Sequence, residues 1–342
     1  MTDAAALAKP LADAPTRRLP RVGFLGVGWI GRHRLEALVA AGAADVAAIA
    51  DPSEDCREAA RPAAPDATMA EDLDDLLTLD LDGLVIATPS AQHADQARRA
   101  LEAGLPVFCQ KPLGRTADEV KAVVDAARRS NRLLAVDLSY RFTEGARRIR
   151  DLVRAGALGD VFAVDLAFHN AYGPDKPWFY DPAQSGGGCV MDLGVHLVDL
   201  ALWTLDFPGV DEVVGHLLAG GRPFSPGQVE DFATASLRLD TGAVVRLACS
   251  WRLHAGEPAD IGAAFYGTAG GAALRNVDGS FYDFTADRFA GASRERLASP
   301  PDAWGGRGIV AWAERLAGDG SFDPAAERLI DVARVLDRIY GR

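Results

Sequence analysis

Gly26-Val27-Gly28-Trp29-Ile30-Gly31 spells G-x-G-x-x-G and follows a short apolar run, Arg21-Val22-Gly23-Phe24-Leu25. The run has the make-up of a buried strand, and His33 to Ala41 read as the start of a helix. In such a strand–turn–helix unit each glycine has its own duty. The first permits the tight turn, the second lets a pyrophosphate approach the backbone, and the third lets helix and strand pack closely. The helix N-terminus then offers unpaired N–H groups and the positive end of its dipole to the phosphates. Asp51 ends the next apolar run, Val46-Ala47-Ala48-Ile49-Ala50. A carboxylate there accepts hydrogen bonds from ribose hydroxyls and repels a 2′-phosphate, so the turn is expected to bind NAD in preference to NADP. Gly26, Gly28, Trp29, Ile30, Gly31 and Asp51 are the residues expected to meet the cofactor.

From this turn outward, strand and helix alternate as far as Tyr140. Leu84–Thr88 reads as a strand and Ala91–Ala103 as a helix ended by Gly104. Val107-Phe108-Cys109 is a strand, and Thr116 with Glu119 forms a capping-box pattern for a helix running to Arg129. Leu133–Val136 is the last strand. Alternation of this kind predicts a doubly wound parallel sheet with helices on both faces. After a helix near Gly145–Ala155 the pattern changes to strands at Val161–Phe168, Val210–Leu217, Ala233–Leu239, Ala243–Trp251, Ala263–Tyr266 and Ala272–Arg275, with a hairpin turn at Asp240-Thr241-Gly242. Pro324–Ile339 reads as an amphipathic terminal helix capped by Asp323. The expected division is a tail at 1–20, a dinucleotide-binding domain at 21–140 and a substrate-binding and oligomerisation domain at 141–342. The second domain is an α/β unit with a large, mostly antiparallel open-faced sheet.

The 342 residues suffice for two domains, and an apolar content of 49% supplies their cores. A net charge of −12 argues against nucleic acid and anionic membranes as partners. No apolar run is long enough to span a bilayer. The four scattered cysteines form no C-x-x-C pair and suit a reducing cytoplasm.

Two further segments carry chemistry. Gln110-Lys111-Pro112 stands at the carboxyl end of a predicted parallel strand, where ligands bind such sheets. Lys111 there can hydrogen-bond a substrate oxygen beside the nicotinamide. Gly186-Gly187-Gly188 leads into an apolar helical stretch holding Asp192 and His196 four residues apart, on one helix face, with Asp199 three further on. Histidine is the natural base for taking a proton from an alcohol near neutral pH. Asp192 can orient His196 or the substrate oxygen, and the glycines allow close approach of cofactor or substrate. The Asp-x-x-x-His spacing also suits a cation, but a third ligand is missing unless Asp199 turns inward, so no metal is assigned. Tyr140, Arg141, Asn170, Tyr172, Lys176 and Trp178 are candidates for a substrate pocket; a surface loop with aromatics packed on the core accounts for the later ones equally well.

The chain resembles the glucose-fructose oxidoreductase, inositol dehydrogenase and rhizopine-catabolism family (Gfo/Idh/MocA) from Val22 to about Tyr340. The resemblance rests on the glycine turn, on Thr88-Pro89 with His93, on Lys111-Pro112 and on the glycine-rich Asp192/His196 segment. It implies an NAD(P)-dependent dehydrogenase of a sugar, inositol or related polyol, assembled as a homodimer or homotetramer through the second sheet. It implies that Lys111, Asp192 and His196 are the catalytic set, and that Thr88, Pro89, His93 and Gln110 line the cofactor. One departure stands out: the family's Glu-Lys-Pro is here Gln110-Lys111-Pro112, which leaves Lys111 without an anionic neighbour in sequence. Two other readings share these motifs, an enzyme that recycles a tightly bound NAD (a sugar–sugar oxidoreductase or NAD-dependent glycosidase) and a non-catalytic NAD- and sugar-binding regulator.

Overall fold

The computed structural model describes residues 18–342, so most of the expected tail lies outside the described residues. The first half runs β1 (Arg21–Leu25), α1 (Trp29–Ala40), β2 (Asp45–Ala50), α2 (Glu54–Ala60), β3 (Thr68–Ala70), α3 (Leu73–Leu77), β4 (Gly83–Ile86), α4 (Ser90–Glu102), β5 (Val107–Cys109), α5 (Ala117–Ser130) and β6 (Leu134–Val136). The six strands form one parallel sheet in the order β3-β2-β1-β4-β5-β6. The order reverses between β1 and β4, and the glycine turn sits at that switch point, where ligands bind open α/β sheets. The central strands are apolar on both faces because helices cover both.

The second half runs α6 (Glu144–Arg154), β7 (Val161–Asn170), α7 (Pro182–Ser185), a single π-turn (Val190–Gly194), α8 (Val195–Thr204), β8 (Val210–Ala219), β9 (Arg222–Pro223), β10 (Phe232–Leu239), β11 (Val244–Ser250), β12 (Ala259–Gly267), β13 (Gly271–Asn276), β14 (Phe284–Ala290), β15 (Ser293–Ala298), α9 (Arg307–Gly318) and α10 (Arg328–Ile339). Its nine strands are ordered β15-β14-β13-β12-β7-β11-β10-β8-β9 and are antiparallel except for the β7–β11 pair. Buried and exposed residues alternate along β10 and β11, so one face packs and the other is open. The alternating runs seen in the sequence become these strands, with the hairpin at Asp240–Gly242 joining β10 to β11.

Four features differ from the expectation. Strands β14 and β15 are not anticipated; β15, the edge strand, carries Arg294, Glu295 and Arg296, and β14 beside it carries Arg288 and a buried Asp287 paired with Arg296, charges that obscure the apolar alternation. The Glu119 carboxylate does not accept the Thr116 N–H; it accepts from Arg115 instead, while the Thr116 hydroxyl oxygen accepts the Glu119 N–H as expected. The terminal segment begins as a 3-10 turn at Pro324–Glu327 under the Asp323 cap before α10 starts. Helix α9, also unanticipated, returns to the first sheet and buries Ile309, Trp312 and Ala313 against Phe108 and Leu35. Helix α10 joins the two cores, sending Ile330 and Ala333 to the first and Val332, Val335, Leu336 and Ile339 to the second.

Candidate active site

At the glycine turn, Gly26 adopts φ +89°, and a Cβ there would lie 2.7 Å from the Ala87 backbone. A Cβ on Gly31 would run into the Gly26 carbonyl. These two glycines are therefore required by the protein's own packing. Gly28 is different: the space beside its Cα is open, and α1 starts with no side-chain cap on its first N–H groups. Open space and uncapped donors are what a pyrophosphate at a helix N-terminus needs. Asp51 lies beside the turn, accepting the Val27 N–H at 2.8 Å and the Ser53 N–H at 2.9 Å. The backbone thus fixes the carboxylate and leaves it further lone pairs for ribose hydroxyls. These residues fit a bound dinucleotide. Trp29 projects outward, 59% exposed, with its ring 4.7 Å from that of His33.

Thr88 and His93 have other work. The Thr88 hydroxyl donates to Gln96 at 2.6 Å, and the His93 ring bridges the Thr88 and Pro112 carbonyls at 2.6 and 2.7 Å. His93 is buried and braces the turn after β5, so its visible role is to hold Lys111-Pro112 in place. Burial holds its pKa below the ordinary histidine value against those two carbonyls. The Gln110 amide is also buried and donates to Asp137 at 2.5 Å.

Lys111 reaches across to the second half. Its Nζ donates to the Asp192 carboxylate at 2.7 Å and to the Asp192 carbonyl at 2.8 Å. The anionic neighbour missing from its own segment is supplied by the π-turn. The other Asp192 oxygen accepts from the Trp251 indole at 3.0 Å. Asp192 therefore holds Lys111 and, among the described residues, makes no hydrogen bond to His196; of the two expected roles, orienting His196 or the substrate oxygen, only the second is left to it. π-Turns of this kind are frequent where a helix is shaped for function.

His196 begins the next turn. It is buried, its Nδ1 has no hydrogen-bond partner among the described residues, and the ring of Tyr140 meets it edge-on at 4.9 Å. Burial, with Lys111 and then Arg34 nearby, holds its pKa well below the ordinary 6.5. At neutral pH it is an uncharged imidazole able to accept a proton. Asp199 does not turn toward it; both its oxygens accept from Arg141, one of them at 2.7 Å. Arg141 is thus committed to a buried ion pair, with the faces of Trp203 and Phe207 against its guanidinium. The expectation that Arg141 lines a substrate pocket is replaced by this pairing.

The triple glycine also has a different reason from the one expected. A Cβ on Gly186 would strike Arg115, one on Gly187 the Tyr340 hydroxyl, and one on Gly188 the Glu230 carbonyl. These glycines admit the protein's own groups. Fully buried Glu230 accepts the Gly188 and Val190 N–H groups at 2.9 and 3.0 Å and the Tyr340 hydroxyl at 2.7 Å. The C-terminal end of the chain so anchors the segment that carries Asp192. Of the remaining pocket candidates, Asn170 has a buried side-chain oxygen with no partner. Trp178 stacks on Phe179 at 3.8 Å, and Phe179 and Tyr180 pack against Trp251. Tyr172 and Lys176 lie at the exposed rim. Trp251, Glu230, Tyr340 and Asp137 were not among the sequence candidates. Each acts through a tertiary contact that leaves no local pattern.

The fold agrees with comparisons to known proteins. Residues 20–138 match the family model described as oxidoreductase family, NAD-binding Rossmann fold, and residues 146–273 match the GFO/IDH/MocA C-terminal domain. D-glucoside 3-dehydrogenase of Escherichia coli (strain K12) is 29% identical over 58% of this chain and 60% of its own length. Inositol 2-dehydrogenase of Rhodococcus erythropolis is 28% identical over 88% of this chain and 86% of its own. The match spans about half to three-fifths of the length of several of the curated relatives, the Escherichia coli enzyme among them. The crystal structure of GenD2 from gentamicin A biosynthesis, in complex with NAD, superposes with a TM-score of 0.78 at 25% identity, covering 98% of this chain and 96% of that one. With both halves matched in their order along the chain and the fold shared throughout, this protein belongs to the Gfo/Idh/MocA family of oxidoreductases, with an NAD-binding Rossmann domain at its N-terminal end.

Proposed function

We propose that the protein is an NAD-dependent dehydrogenase that oxidises a secondary hydroxyl of a sugar, inositol or related polyol. The observation that carries this reading is the Lys111–Asp192 pair beside an unpartnered, uncharged His196 at the carboxyl edge of the parallel sheet. When bound, NAD supplies the hydride acceptor. The chain's part is acid–base chemistry and positioning. His196 takes the hydroxyl proton. The Lys111 ammonium, aimed by Asp192, stabilises the alkoxide that forms. Trp251 keeps Asp192 turned toward Lys111. Tyr172, exposed, and Trp178, half-buried on Phe179, offer aromatic faces that suit the C–H side of a sugar ring. The names of the relatives support a sugar or inositol as substrate class. The open sheet face exposes Val214, Val244 and Tyr266, which suits a second copy of the chain and a homodimer or homotetramer.

The test is NADH formation with a panel of inositols, aldoses, glycosides and sugar acids, with Lys111→Ala beside the wild type. Lys111-dependent reduction of NAD is expected. No reduction with any of them, from a protein that keeps bound NAD through purification, overturns the dehydrogenase in favour of a cofactor-recycling enzyme.

A further inference from the structure

Asp137 lies just past the carboxyl end of β6, 2% exposed, with its N–H on the Cys109 carbonyl at 2.9 Å. One carboxylate oxygen accepts from two buried side chains, Arg34 Nε and the Gln110 amide, each at 2.5 Å. The other oxygen is buried without a partner among the described residues. Arg34 is on α1, one turn past the glycine motif, and Gln110 is the residue before Lys111. One buried anion therefore connects the helix whose N-terminus faces the pyrophosphate to the strand end that carries the lysine.

We propose that Asp137 is a positioning residue of this site, tying the dinucleotide helix to the Lys111 segment, and that Gln110 is neutral because Asp137 holds the charge. A carboxylate at position 110 would face the Asp137 carboxylate at hydrogen-bond distance, both nine-tenths buried, and two such anions cannot both stay ionised. An amide at position 137 would leave Arg34 buried beside no anion. Exchanging the two groups keeps one cation, one anion and one amide in the same space. The inference rests on the NAD-binding part of the proposed function and is independent of which sugar is oxidised.

The experiment measures NADH affinity by fluorescence, with thermal melting, for Gln110→Glu, Asp137→Asn and the Q110E/D137N double variant. Each single variant is expected to bind NADH about tenfold more weakly at temperatures well below its melting point, from displacement of groups the cofactor needs. The double variant is expected to return to within about threefold of the wild type, since the charge count is restored. A merely structural role would lower the melting temperature and leave NADH affinity of the folded protein unchanged, which overturns the proposal. So does a double variant as weak as the poorer single one. Should a single variant fail to fold, a soluble double variant supports the tie and an insoluble one overturns it. Failure to find a substrate leaves this test intact, while failure of the wild type to bind NADH would sink the functional reading and this inference together.

Discussion

Lys111, at the end of the fifth strand of the first sheet, and Asp192, in the π-turn of the second half, form a 2.7 Å ion pair in which the lysine also meets the Asp192 carbonyl. The ammonium is therefore aimed from the opposite half of the molecule. Lys111→Ala removes the charge that stabilises a substrate alkoxide and should lower kcat at least about 100-fold, the scale for one oxyanion donor. NADH binding should change little. A kcat within threefold of wild type would remove Lys111 from the chemistry.

Trp251 should show its effect through Asp192. Trp251→Phe keeps the ring that Phe179 and Tyr180 pack against and deletes only the indole N–H that Asp192 accepts at 3.0 Å. The freed carboxylate oxygen costs about 1 kcal/mol of alignment, so kcat should fall roughly fivefold with substrate KM nearly constant. A large rise in KM with kcat preserved would instead make Trp251 a substrate contact.

Asp51 sets the cofactor preference in this reading. Asp51→Ser removes the carboxylate but leaves the Val27 and Ser53 N–H groups a hydroxyl to meet. The ratio of NAD to NADP use should drop about tenfold or more, because repulsion of the 2′-phosphate goes with the charge. An unchanged ratio in kcat/KM with the two cofactors would show that the preference lies elsewhere.

Arg141 should behave as a stability residue. Asp199 is 2% exposed and both its oxygens depend on Arg141. Arg141→Ala strands that carboxylate in the core, at about 3–5 kcal/mol by analogy with other broken buried pairs. Urea denaturation should register the loss, and substrate selectivity should not change. A variant of wild-type stability with altered selectivity would return Arg141 to the pocket.

How far the sequence reached depends on whether a feature is local. The glycine turn, Asp51 and the alternation of strands are periodic or adjacent patterns, so the parallel sheet and its switch point are legible from residues 21–140. The second sheet is legible where apolar residues alternate and is lost at β14 and β15, whose charges obscure that alternation. Lys111, Asp192 and His196 were named from their segments, but their partners were not. Asp192 meets Trp251 because β11 and the π-turn pack together, and meets Lys111 because the end of β5 reaches the same turn, and nothing in the spacing of Asp192 and His196 forecasts either. The triple glycine reads in sequence as room for a ligand. Its neighbours Glu230 and Tyr340 lie 42 and more residues away in sequence, and only the fold shows that the room is already filled.

His196 gives the site its pH signature. Its pKa is held well below the ordinary 6.5, chiefly by burial, with Lys111 the next cause. A base of this kind is competent while neutral, so kcat/KM should stay level as the pH falls through 6.5 and decline only at more acid values. Lys111→Met removes one of the lowering charges, so the His196 ring, followed by NMR in the absence of substrate, should titrate at higher pH than in the wild type. The same depression bears on stability. The unfolded chain takes up the proton near 6.5 while the folded one does not, so the contribution of neutral His196 is fully present above 6.5 and is lost as the pH falls through the folded value. Comparing urea midpoints of the wild type and His196→Asn across that range isolates the term, since the variant has no proton to take up. A His196 resonance titrating at or above 6.5 would contradict the burial argument and, with it, the assignment of His196 as a base already neutral in the resting site.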